Sequence, residues 1–211
     1  MQIRQEYYRV KELLDGKRPS RMDLFTYMDD EIYRCCVSGS HAKENPFQHY
    51  LDFLYELGEL SEDEQKLYAG IGREFIQTIE TTEMQKVYKM PILYSFYNHG
   101  NIRLAVTDEE VLESWKEFFD TGTNWKDFPN VNTYEDYKKV TDKQHLSKAK
   151  RMPIRFLKAS GKGFFVEKDG YALALRDEIG DVVGNMAFGE QMGDVLGYRS
   201  LEYYRRRYER E

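Results

Sequence analysis

Residues 151–175, RMPIRFLKASGKGFFVEKDGYALAL, decide the fold that the sequence predicts. Pro153 is typical of the first turn of a helix, and Ser160-Gly161 is typical of a helix end. Two short strand-like segments, 163–166 and 171–175, then flank the hairpin turn Lys168-Asp169-Gly170. The stretch therefore predicts a short helix followed by a β ribbon, an arrangement that many small nucleic-acid-binding modules use.

A second stretch repeats this pattern earlier in the chain. Lys89-Met90-Pro91-Ile92 opens an apolar segment that ends at Asn98-His99-Gly100 and leads into the strand-like residues 102–106. Two such helix-plus-β-ribbon units favour a winged-helix-like second part. The alternative is a chance repeat, because proline is common at the first position of any helix.

The first 80 residues carry helical patterns. Ser61 and Glu64 have the spacing of a capping box, and Gly70 and Gly72 weaken the helix that follows. We predict a predominantly helical α+β fold, with a helical subdomain over residues 1–80. A mixed helix and hairpin subdomain follows over residues 81–211, and we expect the two to pack as one compact unit. The last helix is expected to break or bend near Gly197.

Composition excludes two classes of protein. Of the 211 residues, 41% are hydrophobic and 15% aromatic, which is too apolar for a disordered tail. No apolar run approaches the roughly 20 residues that cross a bilayer, and residues 1–6 do not resemble a signal peptide. The two cysteines, Cys35 and Cys36, are adjacent and poorly placed for a disulfide. We therefore expect a cytoplasmic protein without membrane contact.

Charge is segregated along the sequence. The net charge is −6, yet residues 138–168 contain ten Lys and Arg against two acids, a local charge of +8. Such segregation makes a local positive field even on an acidic protein. The alternatives are a solvated face, or a patch that docks against the chain's own acidic part.

Within the basic segment, five residues are spaced 3, 4, 3 and 4 apart, which would place them on one face of a continuous helix. Pro153 is expected to start a new helix instead, leaving Arg155 and Lys158 on a shared face with Lys162 at its end. A second basic run, residues 203–208, interleaves Tyr with Arg, although packing inward is its alternative. The candidate nucleic-acid-binding residues are Lys148, Lys150, Arg151, Arg155, Lys158, Lys162, Lys168, Arg205, Arg206 and Arg207.

Three stretches resemble enzyme motifs, but each lacks a residue or a structural setting that its motif requires. Ser160-Gly161-Lys162 resembles the end of a P-loop, but Phe156 stands where its first glycine belongs. His41-Ala42-Lys43 matches the start of a phospholipase D-type motif, but position 48 is Gln48 instead of Asp. Glu64 and Lys66 have a nuclease-like spacing on a predicted helix, where the nuclease motif would need a strand.

No cofactor or metal site is predicted. The only zinc candidates are Cys35, Cys36, His41 and His49, and two adjacent thiolates strain the usual geometry. No catalytic residue and no small-molecule substrate is indicated.

Several short stretches of the sequence together resemble the C-terminal region of bacterial DEAD/DEAH-type, superfamily 2 helicase-like proteins. Those proteins are associated with restriction or defence. The resemblance would cover the chain from about Gly16 onward. It is carried by residues 79–93, 96–98, 115–119, 124–127, 160–165 and 198–208. Proteins of this type often have a phospholipase D-like nuclease domain upstream, and their catalytic motifs lie outside the region that this chain resembles.

The resemblance and the basic segment together predict a non-catalytic accessory domain that helps a helicase or restriction-type protein bind DNA. Its other partners would be the helicase and nuclease domains of a larger parent protein. The alternative is a protein–protein docking or scaffold module without direct nucleic-acid contact.

Overall fold

The computed structural model describes residues 2–38 and 44–208 and divides the chain into two compact units. Met1–Thr81 and Gly184–Glu211 form the first, called the helical unit, and Thr82–Val183 form the second, called the mixed unit. The first boundary lies within one residue of the predicted one. The predicted division differs at the other end of the chain, because residues 184–211 belong with the first 81.

Seven α-helices form the described part of the helical unit. Capping decides several of their ends: Ser61 and Glu64 form the predicted capping box, and Gly58 ends a helix in the left-handed conformation with φ 70°. The helices are α1 (Gln2–Leu13), α2 (Arg21–Tyr27), α3 (Asp30–Val37), α4 (Tyr50–Leu57), α5 (Glu62–Tyr68), α6 (Ile71–Thr81) and, after the mixed unit, α12 (Met186–Tyr208).

The mixed unit combines helices with one small sheet. The strands are β1 (Ala105–Val106), β2 (Phe165–Val166) and β3 (Leu173–Leu175), arranged antiparallel in the order β1-β3-β2. The predominantly helical α+β class is therefore confirmed. The helices of this unit are α7 (Lys89–Tyr97), α8 (Asp108–Asp120), α9 (Tyr134–Lys138), α10 (Asp142–Ala149) and α11 (Arg155–Ser160).

The two predicted helix-plus-ribbon units share this sheet. Ala105 pairs with Ala174 on one side of β3, and Phe165 pairs with Leu175 on the other. The Leu175 amide donates to the carbonyl of Leu104 at 2.7 Å, and the Arg176 amide donates to that of Phe164 at 2.9 Å. The element order is thus helix, strand, helix, helix and hairpin, with α9 and its loop inserted between the second helix and the third.

Pro153 does not start a new helix, contrary to prediction. It lies inside a π-helical turn, Lys150–Ile154, that joins α10 to α11. Lys150 and Ile154 both have helical backbone angles, so the chain stays helical from Asp142 to Ser160. A proline ring clashes with the carbonyl four residues before it in an α-helix, and the wider π turn relieves that clash. We call residues 142–160 the long helix.

Two glycine predictions have different outcomes. The expected weakness at Gly70 and Gly72 is confirmed, because α5 ends at Tyr68 and α6 begins at Ile71. The expected break near Gly197 is wrong, because α12 runs through it without interruption. A methyl group added at Gly197 would lie 3.5 Å from the sulfur of Met22, an ordinary van der Waals distance, so the packing of α12 on α2 would also admit an alanine there.

A buried polar network connects α2, α6 and α12 within the helical unit. Arg21 is fully buried; it donates to Glu80 Oε1 at 2.5 and 2.9 Å and to Asp194 Oδ2 at 2.8 Å. Its guanidinium also lies 4.4 Å from the centre of the Tyr50 ring. Burial raises the pKa of Glu80, and the charge of Arg21 opposes that rise. The Glu80 carboxylate therefore relies on the charge of Arg21 to offset the cost of its burial.

We expect Arg21→Met to lower the free energy of unfolding by about 3–5 kcal/mol, because it leaves the buried Glu80 and the half-buried Asp194 without their cation. Urea denaturation measures the change. Lys66→Met is the matched control, since its pair with Asp63 is exposed and such pairs contribute about 0–1 kcal/mol. Equal midpoints for the two variants would contradict the assigned role of Arg21.

Candidate nucleic-acid interface

The long helix has a buried side and an exposed side. The buried residues recur about once per turn and face the core of the mixed unit; they are His145, Ala149, Pro153, Ile154 and Leu157. The opposite positions are exposed: Lys143, Ser147, Arg151, Arg155 and Ala159. We call these five the exposed helix face. Its side chains are either cationic or small, so a ligand could approach the helix backbone closely.

Four of the ten basic residues in the segment 138–168 are paired with acids of the mixed unit. Lys138 lies 3.0 Å from Asp120, and Lys139 lies 3.2 Å from Asp136. The other two pairs are Lys150 with Asp108 at 2.6 Å, and Lys158 with Glu167. Part of the local charge of +8 is therefore neutralised within the fold.

Five others remain exposed without an ion pair among the residues that the structure describes: Lys143, Arg151, Arg155, Lys162 and Lys168. Three of them belong to the exposed helix face. Lys162 follows the helix at the corner that leads to the hairpin, where its φ is 50°. The positive charge available to a ligand is thus concentrated along the long helix, at its C-terminal end and at Lys168 in the hairpin.

The predicted face with spacing 3, 4, 3 and 4 is only partly observed. Arg151 and Arg155 are exposed as expected, but Lys148 is half-buried, with its ammonium 5.2 Å from the centre of the Tyr88 ring. Lys158 is half-buried as well and reaches the hairpin through Glu167. Two of the five side chains therefore leave the predicted face: Lys148 extends toward the loop before α7, and Lys158 extends toward the hairpin.

The hairpin stands beside the C-terminal end of the long helix. Phe165 of β2 is buried, whereas its neighbour Val166 is exposed. At the tip, Gly170 has φ 82°, and the ammonium of Lys168 lies 5.6 Å from the centre of the exposed Tyr171 ring. The hairpin thus presents a cation and an aromatic ring next to a cationic helix.

Sequence reasoning missed Lys86. Its ammonium lies 3.7 Å from a carboxylate oxygen of buried Asp127, whose backbone carbonyl accepts a 2.8 Å hydrogen bond from the Tyr88 hydroxyl. Burial lowers the pKa of Lys148, and the nearby charges of Arg151 and Lys86 lower it further. Lys86 thus joins a cluster whose other cations follow about 60 positions later in the sequence, a separation that no local pattern bridges.

The C-terminal candidates belong to the helical unit, and each has a partner there. Arg205 lies 2.6 Å from Asp30 and stacks over the Phe25 ring at 5.0 Å. Arg206 pairs with Glu202 at 3.1 Å, and the guanidinium of Arg207 lies 5.6 Å from the centre of the Tyr208 ring. Arg206, Arg207 and Tyr208 are nevertheless exposed, so this end of the helix does not pack inward as a whole.

The dismissed enzyme signatures have structural roles where they can be located. Glu64 is buried and bonded to Arg18, and it caps α5. Gly161 follows the C-terminal end of α11, whereas a P-loop would precede a helix. The phospholipase D-type match at His41-Ala42-Lys43 lies outside the described residues.

Two further observations concern residues 2–38 and 44–208 alone. Within these ranges, no group of three or more His, Cys, Asp and Glu side chains could hold a metal ion. Of the zinc candidates, Cys35 is exposed and Cys36 buried, both are free thiols, and His41 lies outside the ranges. Among the described helices, none combines the length and the apolar character needed to cross a bilayer.

Comparison of the chain with protein-family models, with curated proteins and with solved structures gives no significant match. The similarity to helicase-like proteins therefore stays a prediction.

His145 supports the long helix from the buried side. Its ring centre lies 4.9 Å from that of Phe128 and 5.5 Å from that of Tyr137. Burial lowers its pKa below the ordinary value of 6.5, and the charge of Lys116 adds to the effect. The folded mixed unit therefore holds His145 in the neutral form at pH values where the unfolded chain would protonate it.

This predicts a loss of stability as the pH falls through 6.5, because the unfolded state takes up a proton at His145 that the folded state resists. The loss stops below the lowered pKa of the folded state. His145→Gln removes this titration, so the variant should lose less stability than the wild type between pH 7.5 and 5.5. Urea midpoints at both pH values measure the difference, and an identical drop in both proteins would contradict it.

Proposed function

We propose that the mixed unit is a winged-helix-like DNA-binding module whose exposed helix face contacts DNA. The observation that carries the proposal is the order helix, strand, helix, helix and hairpin, with β1 and β2 paired to the two edges of β3. In helix-turn-helix modules, the second helix of the pair enters the major groove. The long helix holds that position here, and the hairpin stands where a wing follows.

The charges along the helix support this assignment. Arg151 and Arg155 lie one turn apart, are exposed and have no ion pair among the described residues. Arginine binds phosphate through two parallel hydrogen bonds and also contacts guanine edges in the major groove. Ser147, four positions before Arg151, and Ala159, four positions after Arg155, are small enough to allow the helix to approach bases. The hairpin adds Lys168 and Tyr171 at its tip.

The resemblance to helicase-like proteins suggests where such a module would act. In a larger parent protein it would hold DNA for helicase or nuclease domains and would carry out no reaction itself. The docking alternative, in which the chain contacts only protein, predicts no affinity for DNA and is separated from this proposal by the same experiment.

We expect labelled duplex DNA to bind the full chain at about 50 mM salt and to bind at least about tenfold more weakly at 200 mM, as released counterions require. Arg151→Ala with Arg155→Ala should weaken binding by about tenfold or more. It should also reduce the slope of log affinity against log salt by about 2, because two phosphate contacts are lost. Fluorescence anisotropy measures both quantities.

The matched control is Lys138→Ala with Lys139→Ala. It removes the same charge from the same segment, but from side chains already paired with Asp120 and Asp136. We expect affinity within about twofold of the wild type. No binding at 50 mM salt, or equal losses in both double variants, would overturn the proposal that the exposed helix face binds DNA.

A further inference from the structure

Three cations of the mixed unit converge beside the exposed helix face. Lys148 and Arg151 are three positions apart on the long helix, a spacing that makes them neighbours on its surface. The Lys148 ammonium lies over the Tyr88 ring, and Lys86, two residues before that tyrosine, lies on the Asp127 carboxylate. We call Lys86, Lys148 and Arg151 the cation cluster.

The contacts of Tyr88 hold the cluster together. The ring is buried and packs against Trp115 at 5.7 Å and Phe119 at 6.0 Å, both in the core. Its hydroxyl donates to the backbone carbonyl of Asp127 at 2.8 Å. Core packing therefore holds Tyr88 and Asp127, and these two residues contact the ammonium groups of Lys148 and Lys86.

The charges in the cluster are not balanced by the residues around it. Asp127 is the acid that contacts Lys86, while Arg151 has no ion pair among the described residues. Three positive charges beside one negative charge leave an excess of two. Burial is the largest cause of the lowered pKa of Lys148, and the positive charges of Arg151 and Lys86 lower it further. An anion bound among the three cations would relieve their mutual repulsion.

We infer that the cation cluster is a binding site for a terminal phosphate group, and that the mixed unit therefore prefers phosphorylated nucleic-acid ends. The inference rests on the proposed DNA-binding function and specifies its ligand. A phosphodiester in the backbone carries one negative charge, whereas a phosphomonoester carries about 1.5 to 2 at pH 7. The charge of a phosphomonoester matches the excess charge of the cluster more closely.

The half-buried position of Lys148 adds selectivity. Lys86 and Lys148 are both partly shielded from water, so their attraction to an anion is screened less than that of a fully exposed lysine such as Lys143. The Lys148 ammonium lies 5.2 Å from the centre of the buried Tyr88 ring, and this contact positions it. A phosphate at a chain end can move freely to reach the half-buried Lys148, while a phosphate within a continuous duplex is held in place by its neighbours.

The test compares short duplexes that are identical except for their ends, which carry a 5′-phosphate, a 3′-phosphate or hydroxyls only. Fluorescence anisotropy with the full chain at about 100 mM salt gives the three affinities. We expect at least fivefold tighter binding of one phosphorylated form, and which form it is identifies the source of the phosphate. Lys86→Gln and Lys148→Gln should each abolish this preference.

Lys143→Gln is the matched control, since it removes one positive charge from an exposed position on the same helix. It should weaken all three duplexes equally and keep the preference for phosphate. Salt-dependent binding with equal affinity for the three duplexes would overturn the terminal-phosphate site and leave the proposed DNA-binding function standing. Failure of all three duplexes to bind would overturn both.

Discussion

The strand Leu173–Leu175 is the constraint on which the mixed unit depends. All three of its residues are buried, and both of its edges are paired, to β1 on one side and to β2 on the other. These strands are only two or three residues long, so neither pair would be stable alone. Because both edges of β3 are paired, β1 contacts a strand about 70 positions later in the chain. The helices between β1 and β2 must therefore pack against this sheet. The orientation of the long helix follows from this packing.

The long helix meets two demands that conflict at Pro153. Its buried side must follow the core from His145 to Leu157, and a proline lies in the middle of that path. The π turn resolves the conflict by keeping the helix continuous while shifting its register by part of a turn. Arg151 and Arg155 consequently point to solvent, while Lys148 and Lys158 reach flanking elements. A feature of the backbone thus decides which cations are available for a ligand.

Local patterns in the sequence predicted the helical class, the capping box at Ser61 and the hairpin around Gly170, because each depends on neighbouring residues. They could not predict that β1 joins the same sheet as the hairpin or that α12 belongs with the first 81 residues, since both depend on packing between distant segments. The sequence of residues 138–168 also could not show which of its basic side chains form ion pairs, because most of the partner acids lie elsewhere in the chain. Lys86 lies outside that segment and joins the cluster only through the contacts of Tyr88.

The central claim is that DNA binds the exposed helix face and the adjacent hairpin. Backbone amide NMR of the full chain, titrated with a short duplex, tests it most directly because it locates the contact without substitutions. The account predicts that shift changes concentrate in residues 147–159 and 166–171, with smaller changes around Lys86. Changes confined to the helical unit, for example around Arg205–Arg207 or the buried network of Arg21, would contradict it.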